Sequence, residues 1–311
     1  MGKFASIPLM NGRRINLTIK KLILYIVLYS SMIGLTFVFL YPFIYMLVTA
    51  CKSPADLNDM SVTWLINGIH FNNFKTAFKA LDYIPRLKNT LFVVLLSVLG
   101  HVLSCSFIGY GFARYEFRFK KIWFALLILA IIIPTETIIV PIYIFFSRIG
   151  FIGSYLPIIL PCFLGFGLRG ALFIFVFNQF FLSLPKALEE AAAIDGAGPV
   201  RTFFSIALPN AKASSLICIV LGVVWHWNDT FEPSMYIENQ SRYLLPQMLP
   251  NLYRMVSNEV SVDSLLNNTA EIYNDAVAMA ATAMVIIPLI LFYILIQSRF
   301  MVSVERSGIT G

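Results

Sequence analysis

The chain has 311 residues, of which 59% are hydrophobic and only 13% charged, and it carries a formal net charge of +7. A soluble domain carries about 25% charge, so the composition excludes an ordinary soluble protein and points to one embedded in a membrane. The basic residues stand at the ends of apolar runs instead of clustering on one surface, which sets nucleic acid aside as a partner.

Uncharged runs lie at residues 22–51, 90–113 and 276–298. Two further runs carry one charge each: 122–147 contains Glu136, and 149–184 contains Arg169. A sixth, 213–228, is shorter than the ~20 residues that a membrane-crossing helix needs. It can borrow Ala211 and Lys212, because a lysine stem reaches along apolar surface to the interface. The expectation is an all-α polytopic membrane protein forming a single domain over residues 1–311. Its six transmembrane helices should fall near 22–50, 90–113, 122–147, 155–180, 211–228 and 276–298. Arg114, Arg118, Lys120 and Lys121 crowd the link between the second and third spans, which favours cytoplasmic N- and C-termini. The segments 52–88 and 229–275 are then external, with room for short helices lying on the membrane surface.

Four cysteines (Cys51, Cys105, Cys162 and Cys218) form no C-x-x-C pair and read as ordinary thiols, three of them inside apolar runs. His101 and His226 stand alone in apolar surroundings and read as core histidines. Neither a metal nor another cofactor is expected. Trp225 and Trp227 read most simply as an interfacial aromatic belt. Arg169, near the middle of the fourth span, is costly there and calls for water or an anion. It can line a water-filled pathway and touch a solute there, pair with Glu136, or be held structurally by a carbonyl or another subunit. Glu136 lies between Pro134 and Pro141, where a distorted helix can open backbone groups to a cavity.

The segment 183–209 is polar and punctuated by Gly and Pro. Ser183 is a candidate N-cap, with Pro185 in the first turn. Residues 186–193 are strong helix formers, and Asp195-Gly196 supplies a stop, since glycine takes the left-handed C-cap at low cost. Gly198-Pro199 restarts a helix that Pro209 ends, leaving Asn210 to cap the fifth span. Val200, Phe203, Phe204 and Ala207 form an apolar stripe on a helix too short to stand alone. That stripe needs either a groove on a partner or the chain's own spans.

Glu190, Ala191, Ala192, Asp195, Gly196, Ala197, Ile206, Leu208 and Pro209 resemble the E-A-A-x-x-D-G-A loop, with its spaced I-x-L-P, of permease subunits in ABC-type importers. Asn89-Thr90, the run Gly109 to Tyr115, Pro134 with Pro141-Ile142-Tyr143, and Trp227-Asn228-Asp229 resemble the carbohydrate branch, specifically its maltose-type G permeases. The likeness runs from about residue 20 onward. Thr230 departs from it where an aromatic residue is usual, as does the tail Ser307 to Gly311. The resemblance implies a type I ABC importer permease fold in a bacterial plasma membrane. It implies that 183–209 is a cytosolic coupling loop docked on a nucleotide-binding subunit. Glu190 would be the ion-pair partner for that subunit, Asp195 and Gly196 the bend, and Phe203 and Phe204 part of the contact. A homologous second permease, an ATPase dimer, an external solute-binding protein, lipid and a carbohydrate substrate would be the partners. The sequence has no G-x-x-x-x-G-K-[ST] run, so ATP hydrolysis is expected of a partner and not of this chain. Another solute, such as a peptide or phosphate ester, is the alternative. A membrane-embedded enzyme is disfavoured because Glu136 and Arg169 are the only charges at span depth.

Overall fold

The computed structural model describes residues 12–59, 64, 67–258 and 274–308, and all regular structure among them is helical. Three helices are long and apolar enough to cross a membrane unbroken: α1 (Gly12–Ala50), α4 (Tyr83–Arg114) and α15 (Asp275–Gly308). Between α1 and α4 lie α2 (Pro54–Asn58) and α3 (Asn72–Ala80). The chain continues through α5 (Lys120–Ile132), a 3-10 turn at Thr135–Thr137, α6 (Ile139–Arg148), α7 (Leu156–Phe163) and α8 (Gly170–Ser183). Then come α9 (Ala187–Ile194), α10 (Pro199–Thr202), a π turn at Phe203–Ala207, α11 (Leu208–Asn210) and α12 (Lys212–Asn228). Short helices α13 (Phe231–Tyr236) and α14 (Met248–Asn258) precede α15.

The stretches expected as third and fourth spans are each interrupted. Pro134 has no N–H to give and forces its predecessor out of the helical region, so Ile133 turns extended (ψ 121°) and α5 stops at Ile132. In the fourth, Gly165 takes φ +72° and Arg169 φ +63°, and residues 164–169 form a break between α7 and α8. Arg169 is therefore not at the middle of a continuous helix; it stands at the start of α8. The two external-type segments do hold short helices, α2, α3, α13 and α14, as the sequence suggested.

At the centre runs α4, flanked by α7, α8 and α12. Its contact faces are made by glycines. A Cβ on Gly109 would stand 2.8 Å from Phe177 Cβ and 2.9 Å from Asn178 N; one on Gly100 would stand 2.8 Å from the Phe163 ring and 3.0 Å from Cys162 C. Lipid tails are as apolar as leucine, so helices in a bilayer associate through such close fits and not through water exclusion. One core cluster joins α3, α4, α12 and α15 around Leu81, Val94, Trp227 and Val285. A second joins α4, α8 and the bent loop around Phe173, Phe177, Phe181 and Phe203. Asn89 Nδ2 donates to the carbonyls of Ser241 (3.1 Å) and Tyr243 (3.2 Å), and Thr90 Oγ1 accepts from Leu245 N (2.8 Å), which ties the segment after α13 to the head of α4. By contrast α1 leaves its apolar surface exposed within the chain and meets α15.

Gly111, one half-turn from Gly109, faces open space. Gly109→Ala should cost about 1–3 kcal/mol by overpacking and lower the thermal midpoint of the detergent-solubilised protein by several degrees. Gly111→Ala should leave it unchanged. Equal midpoints for the two variants would show that the α4–α8 fit does not limit stability.

Candidate functional site: a bent loop and a cavity at a helix break

The first candidate region is the segment after α8. Between α8 and α9 the chain turns by 78°, and between the α10–α11 stretch and α12 it turns by 75°. Gly196 (φ +75°) makes the sharp bend between the two short helices. Its N–H donates to Ala193 O (3.1 Å) and the Ala197 N–H to Ala192 O (2.9 Å), satisfying carbonyls at the end of α9. Gly198 is extended (ψ 167°) and Pro199 opens α10, where a missing N–H costs nothing.

Two details differ from expectation. Ser183 is the last residue of α8, its hydroxyl donating to Phe180 O (2.7 Å), and Lys186 opens α9 without a side-chain cap. Pro209 does not end the second short helix. It is carried inside a continuous helical turn because the preceding turn widens to a π turn, with Leu208 N–H reaching Phe203 O. A regular turn would press the Pro209 ring against the Ser205 carbonyl, and the extra residue in the turn relieves that clash. The helix breaks instead at Ala211 (ψ 22°), and Asn210 donates back to Ile206 O (2.7 Å) without capping α12.

The apolar stripe divides between two surfaces. Phe203 and Ala207 are buried, Phe203 lying against Phe107, Tyr110 and Phe181. Val200 is 60% and Phe204 52% exposed, and Ile194, at the end of α9, is 87% exposed. Half of the stripe thus anchors the loop to the chain's own helices, and half is presented outward beside the bend. Glu190, Ala191, Asp195 and Pro209 are exposed, Ala192 is buried, and Ala197, Ile206 and Leu208 are half-buried. Among the described residues Glu190 has no ion pair within the chain. Its neighbour Glu189 does: Arg114 Nε donates to Glu189 Oε1 at 2.7 Å, and Arg114 Nη2 to Leu184 O at 2.6 Å. This tether from the end of α4 to both sides of the α8–α9 turn was missed in the sequence. The adjacent acids there gave no sign of which one faces inward.

The second region is a cavity of about 300 Å³ beside the break between α7 and α8. Its walls are mainly apolar, with Arg169, Glu232 and Tyr236 as the polar groups. Arg169 is exposed, its guanidinium carbon 5.8 Å from the Trp225 ring centroid. A left-handed conformation costs a non-glycine residue about 1–2 kcal/mol, so the fold holds this side chain in place against strain. No ion pair joins Arg169 to Glu136 among the described residues. Glu136 stands exposed in the 3-10 turn after Pro134, outside the cavity lining. Its charge acts instead on two acids to which the sequence reading assigned no place in a site, Asp229 and Glu232. Asp229 Oδ1 accepts from Phe231 N (2.9 Å) and Glu232 N (3.3 Å), turning the chain back at the end of α12 so that α13 meets the cavity. The signal available for this was Trp227-Asn228-Asp229 followed by Glu232, an acid pair three residues apart.

The aromatic belt is not formed. Trp227 is buried and donates from Nε1 to Val285 O (3.2 Å), and Trp225 is half-buried beside Arg169. His101 and His226 are not isolated either. Their ring centroids lie 5.4 Å apart, and Cys162 Sγ is 3.9 Å from His226 Nε2. The helices that carry Cys162 and His226, α7 and α12, both pack directly on α4, an arrangement no local pattern encodes.

Glu232 lies beyond the end of α12. Burial, with Asp229 and Glu136 adding to it, pushes its carboxyl up from 4.5 to about 7. The folded protein thus keeps a proton that the unfolded chain releases. The associated stabilisation is fully present below pH 4.5 and is lost as pH rises through about 7. The thermal midpoint should fall across that window, and Glu232→Gln should flatten the fall. An unchanged slope in that variant would remove Glu232 as its source.

Together these elements define a multi-pass helical membrane protein with a rigidly tethered, outward-facing bent loop and a cavity at a break in its helices. The chain belongs to the family of binding-protein-dependent transport system inner membrane components, whose model matches residues 106–304. It is 24% identical to the probable starch degradation products transport system permease protein of Thermoanaerobacterium thermosulfurigenes, over 89% of this chain and 94% of that one. It is 26% identical to the melibiose/raffinose/stachyose import permease protein of Bacillus subtilis, over 87% and 91%. Among solved structures, a bacterial ABC transporter involved in import of the acidic polysaccharide alginate superposes with a TM-score of 0.71. That match has 20% identity and covers 95% of this chain and 100% of that one.

Proposed function

We propose that the chain is the permease subunit of an ATP-driven carbohydrate importer. In this reading both termini and the loop at 183–209 are cytoplasmic, and the loop seats on a separate nucleotide-binding subunit. The observation that carries it is the division of the apolar stripe. Phe203 and Ala207 fix the loop to the chain's own core, and Ile194, Val200 and Phe204 remain exposed beside Glu190, which makes no ion pair among the described residues. Apolar side chains left outward at a turn between helices, rimmed by charge, are the mark of a contact with another protein. An ATPase dimer, a homologous second permease and a solute-binding protein complete the assembly, and the exposed surface of α1 meets lipid or that second permease. Sugars are favoured as cargo by the relatives, whose names speak of starch degradation products and of melibiose, raffinose and stachyose. Arg169 at the cavity wall, with the Trp225 ring behind it, suits a polyhydroxylated solute by offering hydrogen-bond donors.

Phe204→Asp should weaken co-purification of the ATPase subunit by about tenfold or more, the loss of roughly 1.4 kcal/mol or more expected of a central interface residue. Glu190→Ala should leave the thermal midpoint unchanged and abolish transport-coupled ATP hydrolysis. Retention of both association and coupling in the two variants would remove the loop from that role.

The cargo is tested separately, by uptake of labelled oligosaccharides into cells that carry the whole assembly. The wild type should take up one neutral or acidic oligosaccharide class and no peptide or phosphate ester. Arg169→Gln should lower that uptake about tenfold without loss of assembly. Uptake confined to a non-sugar solute would overturn the carbohydrate reading and leave the loop assignment standing.

A further inference from the structure

Behind the cavity wall formed by Gly167 and Gly170, three helices bring together His101 from α4, Cys162 from α7 and His226 from α12. All three side chains are buried, with exposures of 1%, 0% and 3%. One ligating atom from each lies within 4.8 Å of the other two. A metal bonded to nitrogen and sulfur at about 2.0 and 2.3 Å in a trigonal arrangement holds such atoms about 3.5–3.7 Å apart, so the site closes by side-chain movements of about 1 Å or less, and Cys162 Sγ already lies 3.9 Å from His226 Nε2. The residue types are an imidazole pair and a thiol, the soft donors that select d10 cations.

The hydrogen bonds around the cluster leave one atom over. Cys105 Sγ lies 3.6 Å from Gly170 O and 3.7 Å from His101 Nδ1. With the Cys105 thiol donating to that carbonyl, His101 Nδ1–H donates to the sulfur. The proton is then on Nδ1, and Nε2 carries the free lone pair. That Nε2 is buried and has no hydrogen-bond partner among the described residues. A buried polar atom without a partner costs about 1–3 kcal/mol, and this one is presented by a ring held on its other side, as the outer partners of metal-bound histidines hold theirs. The packing is close: a Cβ on Gly167 would stand 2.9 Å from Cys162 Sγ and 3.1 Å from the His101 ring.

We propose that His101, Cys162 and His226 form a trigonal site for a monovalent copper ion, joining α4, α7 and α12 at the level of the break between α7 and α8. Binding forms one copper–sulfur and two copper–nitrogen bonds, and the Cys162 thiol releases its proton to solvent. Charge selects the ion. One monovalent cation, one thiolate and two neutral imidazoles sum to zero, which suits a site in apolar surroundings. A divalent zinc ion would leave a net charge of +1, whose burial is expensive, and zinc in closed sites takes four ligands where this cluster offers three.

The test uses the full chain in lipid nanodiscs under anaerobic reducing conditions, with Cu(I) added in competition with a chromophoric Cu(I) chelator. One equivalent per chain should be retained. Cys162→Ser, which can keep the hydrogen bond from Cys162 to Ile158 O, should weaken binding at least 100-fold. Cys51→Ser, outside the cluster, should leave it unchanged. X-ray absorption of the wild type, which needs no variant to fold, should show one sulfur and two nitrogen neighbours. No stoichiometric binding, equal affinity in Cys162→Ser, loss of binding in Cys51→Ser, or retention of zinc against added Cu(I) would each overturn the assignment.

Discussion

The architecture depends on the fit of α7 and α8 against the glycines of α4. In a bilayer two apolar helices gain little by leaving lipid for each other, so what holds them is the number of atoms brought to van der Waals distance. Gly100 and Gly109 stand nine residues, about two and a half turns, apart on one helix, and both allow backbone-level approach by a partner. Everything of functional interest is referred to this axis. Thr90 holds the segment before α14 at one end, His101 reaches the buried cluster at mid-length, and Arg114 grips the loop at the other end.

The second determinant is where the backbone is permitted to be irregular. Within hydrocarbon an unpaired carbonyl or N–H costs several kcal/mol, so helix breaks survive only against protein or a water-accessible space. Pro134 and the glycines of 164–169 supply two such breaks, and the cavity lies beside both. The strained conformation of Arg169 belongs to the same arrangement, since a guanidinium carried on a regular turn of α8 would emerge from a different side of the helix.

Much of this was legible in the sequence. The apolar runs placed α4, α12 and α15 to within a few residues, apart from the polar extensions that lengthen α4 and α15. The bend at Gly196 and the restart at Pro199 followed from backbone stereochemistry alone. What stayed hidden depended on contacts between distant segments. Proline chemistry suggested that Pro209 should end a helix, yet a widened turn, whose cost is met by burying Phe203 and Ala207, carries it through. Hydropathy averaged over 149–184 concealed the break at 164–169, because its leucines and phenylalanine are as apolar as a helix. Glu189 and Glu190 are indistinguishable until the end of α4 is positioned. The joining of two histidines and a cysteine separated by more than sixty residues each follows from helix packing and from no local signal.

The tether between Arg114 and the α8–α9 turn has a mechanical consequence. An unbroken helix of 32 residues is about 48 Å long at 1.5 Å per residue, and it transmits rotation as a stiff rod because its hydrogen bonds are all internal. Any torque applied where the loop is gripped therefore arrives at the far end of α4 undiminished in angle and magnified in displacement. A tilt of about 5° at the tether moves the opposite end by roughly 4 Å over that length. The broken helices α7 and α8 lie along this rod and can absorb such a tilt at residues 164–169 without stretching a regular turn. In the proposed assembly, rigidity on one side of that contact and compliance on the other would convert a push at the surface into movement at the helix break in the interior.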